Sequence, residues 1–319
     1  METKRVVLAG GSGYLGRSLQ RVLAARGYST RVLTRNPSAP GDVAWDGQTT
    51  GPWARELDGA WALVNLTGRS VNCRHTPANR REIVSSRVAS VHALGAAVAA
   101  SERPPAVWLQ AGSLAYYGNS DQVVDEEAPA GMGFAADVCR QWEGAFTAQA
   151  LPRTRKVFLR IGFVLGSKGG ALPVLATFAR CGMSRLGSGR QFVSWIHEDD
   201  MNRLAVWALE NEDARGTYNA TAPAPVTNAA LMTALRQAQG QRWGLAMPAC
   251  AVRLGAFVMR TEPDLALGGR AGVSSRLQTE RFAFTYADLG GAIAALFSDQ
   301  GKTGAAARTS SSNPPSGWA

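Results

Sequence analysis

The chain has 319 residues, of which 45% are hydrophobic and 18% are charged, and its formal net charge is +10. This length suits one large domain or two unequal ones, and the composition is ordinary for a soluble globular protein. No apolar run approaches the ~18 residues of a membrane span. Because the first strand is predicted to begin at about residue 5, we expect no signal or transit peptide. We therefore expect a cytoplasmic protein with no membrane partner.

The charge and the cysteines exclude further classes of protein. The positive charge comes from scattered arginines, with only four lysines, so we predict no nucleic-acid partner. Attraction of phosphorylated small molecules explains the same sign. The four cysteines are far apart and form no Cys-x-x-Cys pair, which favours reduced thiols over a disulfide framework. None of the three histidines lies near cysteines or carboxylates at metal-ligand spacing, so we predict no metal site.

A glycine-rich turn follows the first apolar run. Residues 6–8 read as a buried strand of a parallel sheet, and a helical pattern begins a few residues later. Between them, Gly11, Gly13 and Gly16 satisfy G-x-G-x-x-G, and Gly10 extends the pattern. Glycine here allows a tight turn, backbone approach to a pyrophosphate and close helix packing. The helix N-terminus then offers N–H groups to the phosphates, so the turn predicts a dinucleotide site.

The end of the second predicted strand, residues 30–34, bears on the choice of cofactor. An acidic residue at this point would bind the ribose 2′-hydroxyl of NAD, but the sequence has no carboxylate until Asp42. Arg35 stands there instead and can form a charge-assisted fork with a 2′-phosphate. The alternative is that Arg35 is a solvated surface residue. The position favours NADP.

Strands and helices then alternate. Strands are predicted at 62–68, 106–112 and 156–162, with helices at 77–101 and 134–150 between them. This alternation predicts an α/β fold with a Rossmann-type doubly wound parallel sheet. Glu82 and Arg87 lie near the start of the long helix, within reach of the crevice, although they could equally be exposed helix charges. Asp125, Glu126 and Glu127 are expected to form a solvated acidic loop.

The pattern loosens after Gly166. A strand is predicted at 192–196 and a helix at 201–211, with Asp199 or Asp200 as its N-cap. Further helices are predicted near 228–239, 249–260 and 286–297. We therefore divide the chain into an NADP-binding Rossmann domain at 1–165 and a smaller C-terminal substrate-side domain at 166–298. Some segments of the latter are expected to return to the sheet. Residues 299–319 read as a disordered tail because they hold almost no core-forming side chains.

Several short motifs recur in this order in one group of proteins. They include the 10–16 glycine loop, Trp45-Asp46, Ser85-Ser86-Arg87, Tyr116-Tyr117-Gly118, Trp142-Glu143 and Trp195-Ile196-His197. Together they resemble the atypical or extended short-chain dehydrogenase/reductases of the NAD(P)-dependent epimerase/dehydratase superfamily. The closest resemblance is to the YfcH-like epimerase family proteins, and it covers about residues 5–297.

The resemblance implies NADP(H) as cofactor and a small molecule as substrate, and a homodimer is left open. It implies cofactor contacts from Gly10, Ser12, Gly13, Tyr14, Leu15, Gly16, Thr34, Arg35, Leu66, Thr67, Glu82, Arg87 and Val164. It supplies no reaction, because most members have no known substrate. This sequence also departs from the family pattern at Thr67, Arg69 and His75, which lie near the expected substrate, so its substrate is expected to differ.

Catalysis by this superfamily usually needs Ser or Thr together with Tyr-x-x-x-Lys, in which the lysine lowers the tyrosine pKa. Ser113 fits the first position, but residues 119–155 contain no tyrosine and no lysine. Two hypotheses follow. In one, the protein is an oxidoreductase or epimerase whose acid or base is Tyr116 or Tyr117, with His197 a weaker candidate. In the other, it binds NADP(H) without turnover, as a sensor or a partner-binding module.

Overall fold

The structure is a computed structural model that describes residues 3–298, and a seven-stranded sheet lies at its centre. The strands of the described residues are β1 (Arg5–Ala9), β2 (Ser29–Thr34), β3 (Asp42–Ala44), β4 (Ala62–Asn65), β5 (Val107–Ser113), β6 (Ser120–Val124), β7 (Arg155–Ile161), β8 (Phe163–Leu165), β9 (Met183–Leu186), β10 (Phe192–Val193), β11 (Trp195–His197), β12 (Gly216–Ala220), β13 (Val226–Thr227), β14 (Leu245–Met247) and β15 (Arg270–Gly272). The helices are α1 (Tyr14–Ala25), α2 (Pro77–Ala100), α3 (Phe134–Thr147), α4 (Leu172–Arg180), α5 (Glu198–Glu210), α6 (Asn228–Ala238), α7 (Ala249–Val258), α8 (Asp264–Leu267), α9 (Ser275–Thr279) and α10 (Leu289–Ser298). Two short 3-10 helices lie at Pro52–Leu57 and Leu114–Tyr117.

The central sheet is entirely parallel and confirms the predicted doubly wound fold. Its strand order is β12-β7-β5-β4-β1-β2-β3. The apolar run of β1 is fully buried because helices cover both faces of the sheet. Strands β2 and β3 are added on one side of β1, and the later strands, beginning with β4, are added on the other side. Open α/β sheets bind ligands at such a switch point, at the carboxyl ends of the strands.

Two helical layers enclose the sheet. On one face, α1 and α5 contribute Leu19, Leu23 and Leu204 to a core shared with β1 and β4. On the other face, α2 and α3 contribute Leu94 and Trp142 to a core shared with β5 and β7.

Helix α2 is long and apolar enough, by length and composition, to cross a membrane, with a mean hydropathy of 1.4. The prediction that no apolar run approaches that length missed this helix, which owes its hydropathy to many alanines and valines between polar positions. Eight of its residues are buried, among them Ile83, Val91 and Leu94, which pack in the protein core. Its apolar side chains are therefore explained by packing against the sheet.

The remaining segments form a smaller core beside the sheet edge. Leu172, Trp195, Leu231 and Ile293 are buried in it, from helices and strands that are far apart in sequence. Strand β12 leaves this part of the chain and pairs with β7 at the edge of the central sheet. The last helix begins at Leu289, three residues later than predicted. Residues 299–319, the predicted disordered tail, lie outside the described residues.

The predicted N-cap of α5 is wrong. His197, not Asp199 or Asp200, caps the helix, because its Nδ1 accepts a hydrogen bond of 3.1 Å from the Asp199 N–H. Asp200 is fully buried and accepts hydrogen bonds from the backbone N–H groups of Thr285 and Tyr286, at 2.9 and 2.8 Å. Its carboxylate is therefore used to attach the C-terminal segment to the domain.

Candidate active site

The glycine turn lies at the carboxyl end of β1 and leads into α1. Gly10 has a φ of +74°, and a Cβ there would stand 3.0 Å from backbone atoms of Leu66 and Thr67, so only glycine fits the turn. The N-cap of α1 is Gly13, and no side chain caps the helix. The first N–H groups of α1 are therefore available to an anion, as dinucleotide binding requires.

Two further glycines of the turn have different surroundings. A Cβ on Gly16 would lie 2.3 Å from the carbonyl oxygen of Gly11, which shows that the helix packs directly on the loop. A Cβ on Gly13 would meet only the Gly10 oxygen, at 3.5 Å, and would otherwise point into open space. The open face at Gly13 has the shape of a cradle for a pyrophosphate.

The end of β2 lies beside this loop. The hydroxyls of Ser12 and Thr34 are 3.1 Å apart, so the loop and the strand end are joined by a hydrogen bond. Arg35 follows at once, and its side chain is exposed, without an ion pair in the described part of the chain. A free guanidinium at this position fits a 2′-phosphate.

The carboxyl end of β4 forms the opposite wall. Asn65 is fully buried, and its side-chain oxygen accepts hydrogen bonds from the Thr67 N–H at 3.0 Å and from the Thr67 hydroxyl at 2.6 Å. Its amide nitrogen donates to Gln110 on β5 at 2.9 Å. This pairing fixes Leu66 and Thr67, both half-buried, against Gly10.

Tyr14 connects the glycine loop to the second half of the fold. Its phenol donates a hydrogen bond to Glu198, and burial together with this carboxylate raises the pKa of the phenol. The loop after β8 packs on the Tyr14 ring, because a Cβ on Gly169 would overlap the ring at 2.4 Å. Val164 lies half-buried on β8, directly before this loop.

Glu82 and Arg87 differ in environment although both belong to α2. Glu82 is exposed and forms an ion pair with Arg69. The guanidinium of Arg87 donates to the Ile83 carbonyl at 2.9 Å and lies 5.0 Å from the Trp142 ring centroid. Burial lowers the Arg87 pKa, and Arg87 has no carboxylate partner among residues 3–298.

Ser113 and Tyr116 have unused donors at the carboxyl end of β5. The Ser113 oxygen accepts from the Ala115 N–H at 3.1 Å and begins the short helix that contains Tyr116. Within the described residues neither the Ser113 hydroxyl nor the half-buried Tyr116 phenol donates a hydrogen bond. Both groups are therefore available to a substrate oxygen.

Tyr117 is placed differently from its neighbour. Only 3% of Tyr117 is exposed, and its phenol donates to Asn219 at 2.9 Å and accepts from Arg160 at 2.6 Å. Burial raises the pKa of Tyr117 to about 12. A phenol with two fixed partners and this pKa is better suited to hold structure than to transfer a proton near neutral pH.

Arg160 is the centre of a buried network. Its guanidinium forms a bidentate pair with Glu143, with both distances 3.0 Å, and stacks over Tyr116 at 3.7 Å from the ring centroid. We call Arg160, Glu143, Tyr116, Tyr117 and Asn219 the Arg160 network. The Tyr116 ring is therefore held by a cation that is itself fixed by Glu143.

The predicted solvated acidic loop is wrong for Glu126. Its carboxylate is half-buried and accepts hydrogen bonds from the backbone N–H groups of Asn219 and Ser275, at 2.8 and 3.1 Å, and from the hydroxyls of Ser274 and Ser275. The backbone donors come from two distant segments that converge only in the folded chain. Glu126 therefore joins the C-terminal segment to the sheet edge.

Arg270 belongs to the same region, although no sequence motif pointed to it. Its Nε donates to the Gly118 carbonyl at 2.7 Å, and burial lowers its pKa. Like Arg87, it has no carboxylate partner within residues 3–298. Both guanidiniums lower the pKa of the buried Cys139 thiol, but burial has the larger effect and raises this pKa to about 11. Two guanidiniums without a carboxylate partner among residues 3–298 therefore lie near the same buried thiol.

His197 lies in the core, with 3% of its surface exposed, and its ring stacks on Tyr286 at 3.8 Å. Its role as helix cap accounts for the residue structurally. The cysteines Cys73, Cys139, Cys181 and Cys250 are all free thiols. Among residues 3–298, no group of three or more histidines, cysteines and carboxylates is placed to hold a metal ion.

Comparison of the sequence with known proteins identifies its family. A sequence model described as the NAD dependent epimerase/dehydratase family matches residues 6–221. The epimerase family protein Mb2239 of Mycobacterium bovis is 35% identical over 292 residues, which are 90% of this chain and 96% of that protein. The chain belongs to this epimerase/dehydratase family. The resemblance drawn from the sequence motifs is thereby confirmed, while the narrower YfcH-like label stays a prediction.

Solved structures of family proteins have the same fold. Human epimerase family protein SDR39U1, crystallised with NADPH, has 30% sequence identity and a TM-score of 0.84, over 92% of this chain and 99% of that chain. The UDP-glucose 4-epimerase of Thermus thermophilus, in complex with NAD, has 16% identity and a TM-score of 0.72, over 92% and 98%. The second likeness shows the fold alone.

Proposed function

We propose that this family member binds NADP(H) and catalyses oxidation, reduction or epimerisation at a carbon of a small anionic molecule. The observation that carries this proposal is the placement of two features at one sheet edge. One is the uncapped helix end at Gly13, and the other is the partnerless Tyr116 phenol held against Arg160. The NADPH in the human relative's structure supports the choice of cofactor.

Different residues of the chain would bind different parts of the cofactor. The backbone from Gly13 to Gly16 would bind the pyrophosphate, and Arg35 would bind the 2′-phosphate. Thr67 and Arg87 would contact the nicotinamide half of the dinucleotide. When bound, NADP(H) supplies or accepts a hydride.

At the substrate, Tyr116 would release or take up the proton at the oxygen on the reacting carbon. Ser113 would donate a hydrogen bond to the same oxygen and orient it. Arg160 keeps the Tyr116 ring in place through its stacking contact. This arrangement assigns the acid–base role to Tyr116 and a structural role to Tyr117.

The anionic character of the substrate follows from Arg270. A buried guanidinium without a counter-charge is unfavourable, and a carboxylate or phosphate on the substrate would supply one through charge-assisted hydrogen bonds. Nucleotide sugars fit this requirement, and so do simpler phosphates and carboxylic acids.

The test is a screen for NADPH oxidation with paired carbonyl compounds that differ only in carrying a carboxylate or phosphate. For any compound reduced, Tyr116→Phe should lower kcat by about 10²–10⁴-fold. Arg270→Gln should raise KM for the charged compound and leave the neutral one unchanged. Turnover that survives both Tyr116→Phe and Ser113→Ala would contradict the assigned site.

The binding-only hypothesis makes the opposite forecast for the same screen. NADPH would bind tightly, and no compound would be reduced or epimerised. That outcome, with an intact fold, would replace the enzyme by an NADP(H) sensor and would leave the cofactor site standing.

A further inference from the structure

Exposed apolar side chains are concentrated in the segment from Trp243 to Leu265. Of the eleven large hydrophobic residues that are exposed in the described part of the chain, seven belong to this segment. We call the seven the apolar patch: Trp243, Leu245, Leu254, Phe257, Val258, Met259 and Leu265. Large exposed apolar patches on soluble proteins mark surfaces that bind a protein, a membrane or a ligand.

Helix α7 supplies the centre of the apolar patch. Ala256 is its only buried residue, while Leu254 and Val258 are 66% and 73% exposed. The helix is nevertheless anchored, because Arg74 donates to the Phe257 carbonyl at 2.9 Å and stacks over the Phe257 ring at 4.3 Å. Trp243 packs on Gly182, where a Cβ would overlap its indole at 2.4 Å. The apolar patch is thus a formed, outward-facing surface.

The exposed charges beside the apolar patch are mostly positive, with three arginines against one exposed carboxylate, Asp264. The sequence has no aspartate or glutamate between Asp213 and Glu262. Arg242, Arg253 and Arg260 lie in this interval, and all three are exposed, with no ion pair in the described part of the chain. A basic rim around exposed aromatic and aliphatic side chains is typical of surfaces that bind anionic membranes.

We propose that the apolar patch binds peripherally to a membrane surface containing anionic lipids. Leu254, Val258 and their neighbours would enter the boundary between headgroups and acyl chains, and the arginines would contact lipid phosphates. Trp243 has the amphipathic ring that prefers this depth. A second copy of the chain is a poorer occupant, because a symmetric contact here would bring two sets of unpaired arginines together.

This contact differs from a membrane span. Helix α7 has 10 residues and is about 15 Å long, half the ~30 Å of a hydrocarbon core. The sequence prediction of no membrane partner rested on the length of apolar runs, and a surface contact needs no such run. The inference is also independent of the proposed reaction.

The test is co-sedimentation of the full-length protein with vesicles of phosphatidylcholine alone or with phosphatidylglycerol added. We expect binding to the anionic vesicles only, weakening as salt is raised. Leu254→Ser together with Val258→Ser should reduce the binding constant by about tenfold or more, and Arg253→Gln with Arg260→Gln should reduce it at low salt. The matched control is Val123→Ser with Met132→Ser, which removes two equally exposed apolar side chains elsewhere and should change nothing.

Two results would overturn the proposal. One is the absence of binding to anionic vesicles, or binding that Leu254→Ser with Val258→Ser leaves intact. The other is a dimer in sedimentation velocity that the same double variant dissociates, which would make a second copy the occupant. Circular dichroism and NADPH binding should be unchanged in every variant, so that neither loss of fold nor failure of the cofactor site can imitate the expected result.

Discussion

The glycine loop and the Arg160 network lie at the same edge of one sheet, but they are built in opposite ways. The loop is a continuous stretch, residues 10–16, and it acts mainly through backbone groups and the absence of side chains. The network gathers side chains from a 3-10 helix, an α-helix and two strands between Tyr116 and Asn219. These side chains are held by charge or hydrogen-bond partners from other elements of the chain. A site of the first kind is local and tolerant of its surroundings, whereas a site of the second kind exists only when the whole domain is folded.

The sharpest way to break this comparison is to remove the counter-charge of the network. Glu143→Gln leaves the buried Arg160 guanidinium without its bidentate partner, and we expect a loss of about 3–5 kcal/mol in the free energy of unfolding. Urea denaturation measures it. Glu127→Gln, an exposed carboxylate nearby, should change stability by no more than about 0.5 kcal/mol. A loss below about 1 kcal/mol for Glu143→Gln would show that the network does not depend on charge.

Substitution of two glycines separates the structural role of the loop from its role in binding the cofactor. Gly16→Ala places a methyl group against the Gly11 backbone and should cost about 1–3 kcal/mol of stability through overpacking. Gly13→Ala has room in the free protein and a φ of −71°, so its stability should be unchanged while NADPH affinity falls by about tenfold. Thermal denaturation and NADPH titration separate the two effects. Equal loss of stability in both variants would contradict the assignment of Gly13 to the cofactor cradle.

The choice between the two nicotinamide cofactors sharpens the comparison at a single side chain. Arg35→Ala should weaken NADPH binding by about 1–3 kcal/mol and leave NADH binding nearly unchanged, since only NADPH has the 2′-phosphate. Fluorescence titration with both cofactors measures this. Arg31→Ala removes the same charge four residues earlier, on β2, and serves as control. Equal weakening of NADPH and NADH would remove Arg35 from the cofactor site.

The smallest effect is expected from the C-terminal residues. Because the composition of 299–319 predicts no contribution to a core, their deletion should leave Tm and NADPH affinity unaltered. Differential scanning calorimetry of the shortened chain is the measurement. A fall of several degrees would mean that these residues pack against one of the two regions compared above.

The sequence alone determined the sheet, the glycine turn and the position of Arg35, because each depends on local patterns: apolar periodicity, glycine spacing and the residue at a strand end. It could also place Ser113 and two adjacent tyrosines at the end of β5. It could not choose between Tyr116 and Tyr117, since that choice depends on Arg160 and Asn219, 43 and 102 residues away from Tyr117.

Only the tertiary structure decided which charged groups are partners. Glu126 looked like part of a solvated loop, yet it receives hydrogen bonds from residues 93 and 149 positions further along the chain. Arg270 showed no motif, and its importance lies in burial without a counter-charge, a property that no residue carries in an unfolded chain. Hydrophobic periodicity and glycine spacing act through residues that are close together in the chain, so the sequence reveals them. Burial and pairing of charges depend on contacts between distant segments, and these exist only after folding.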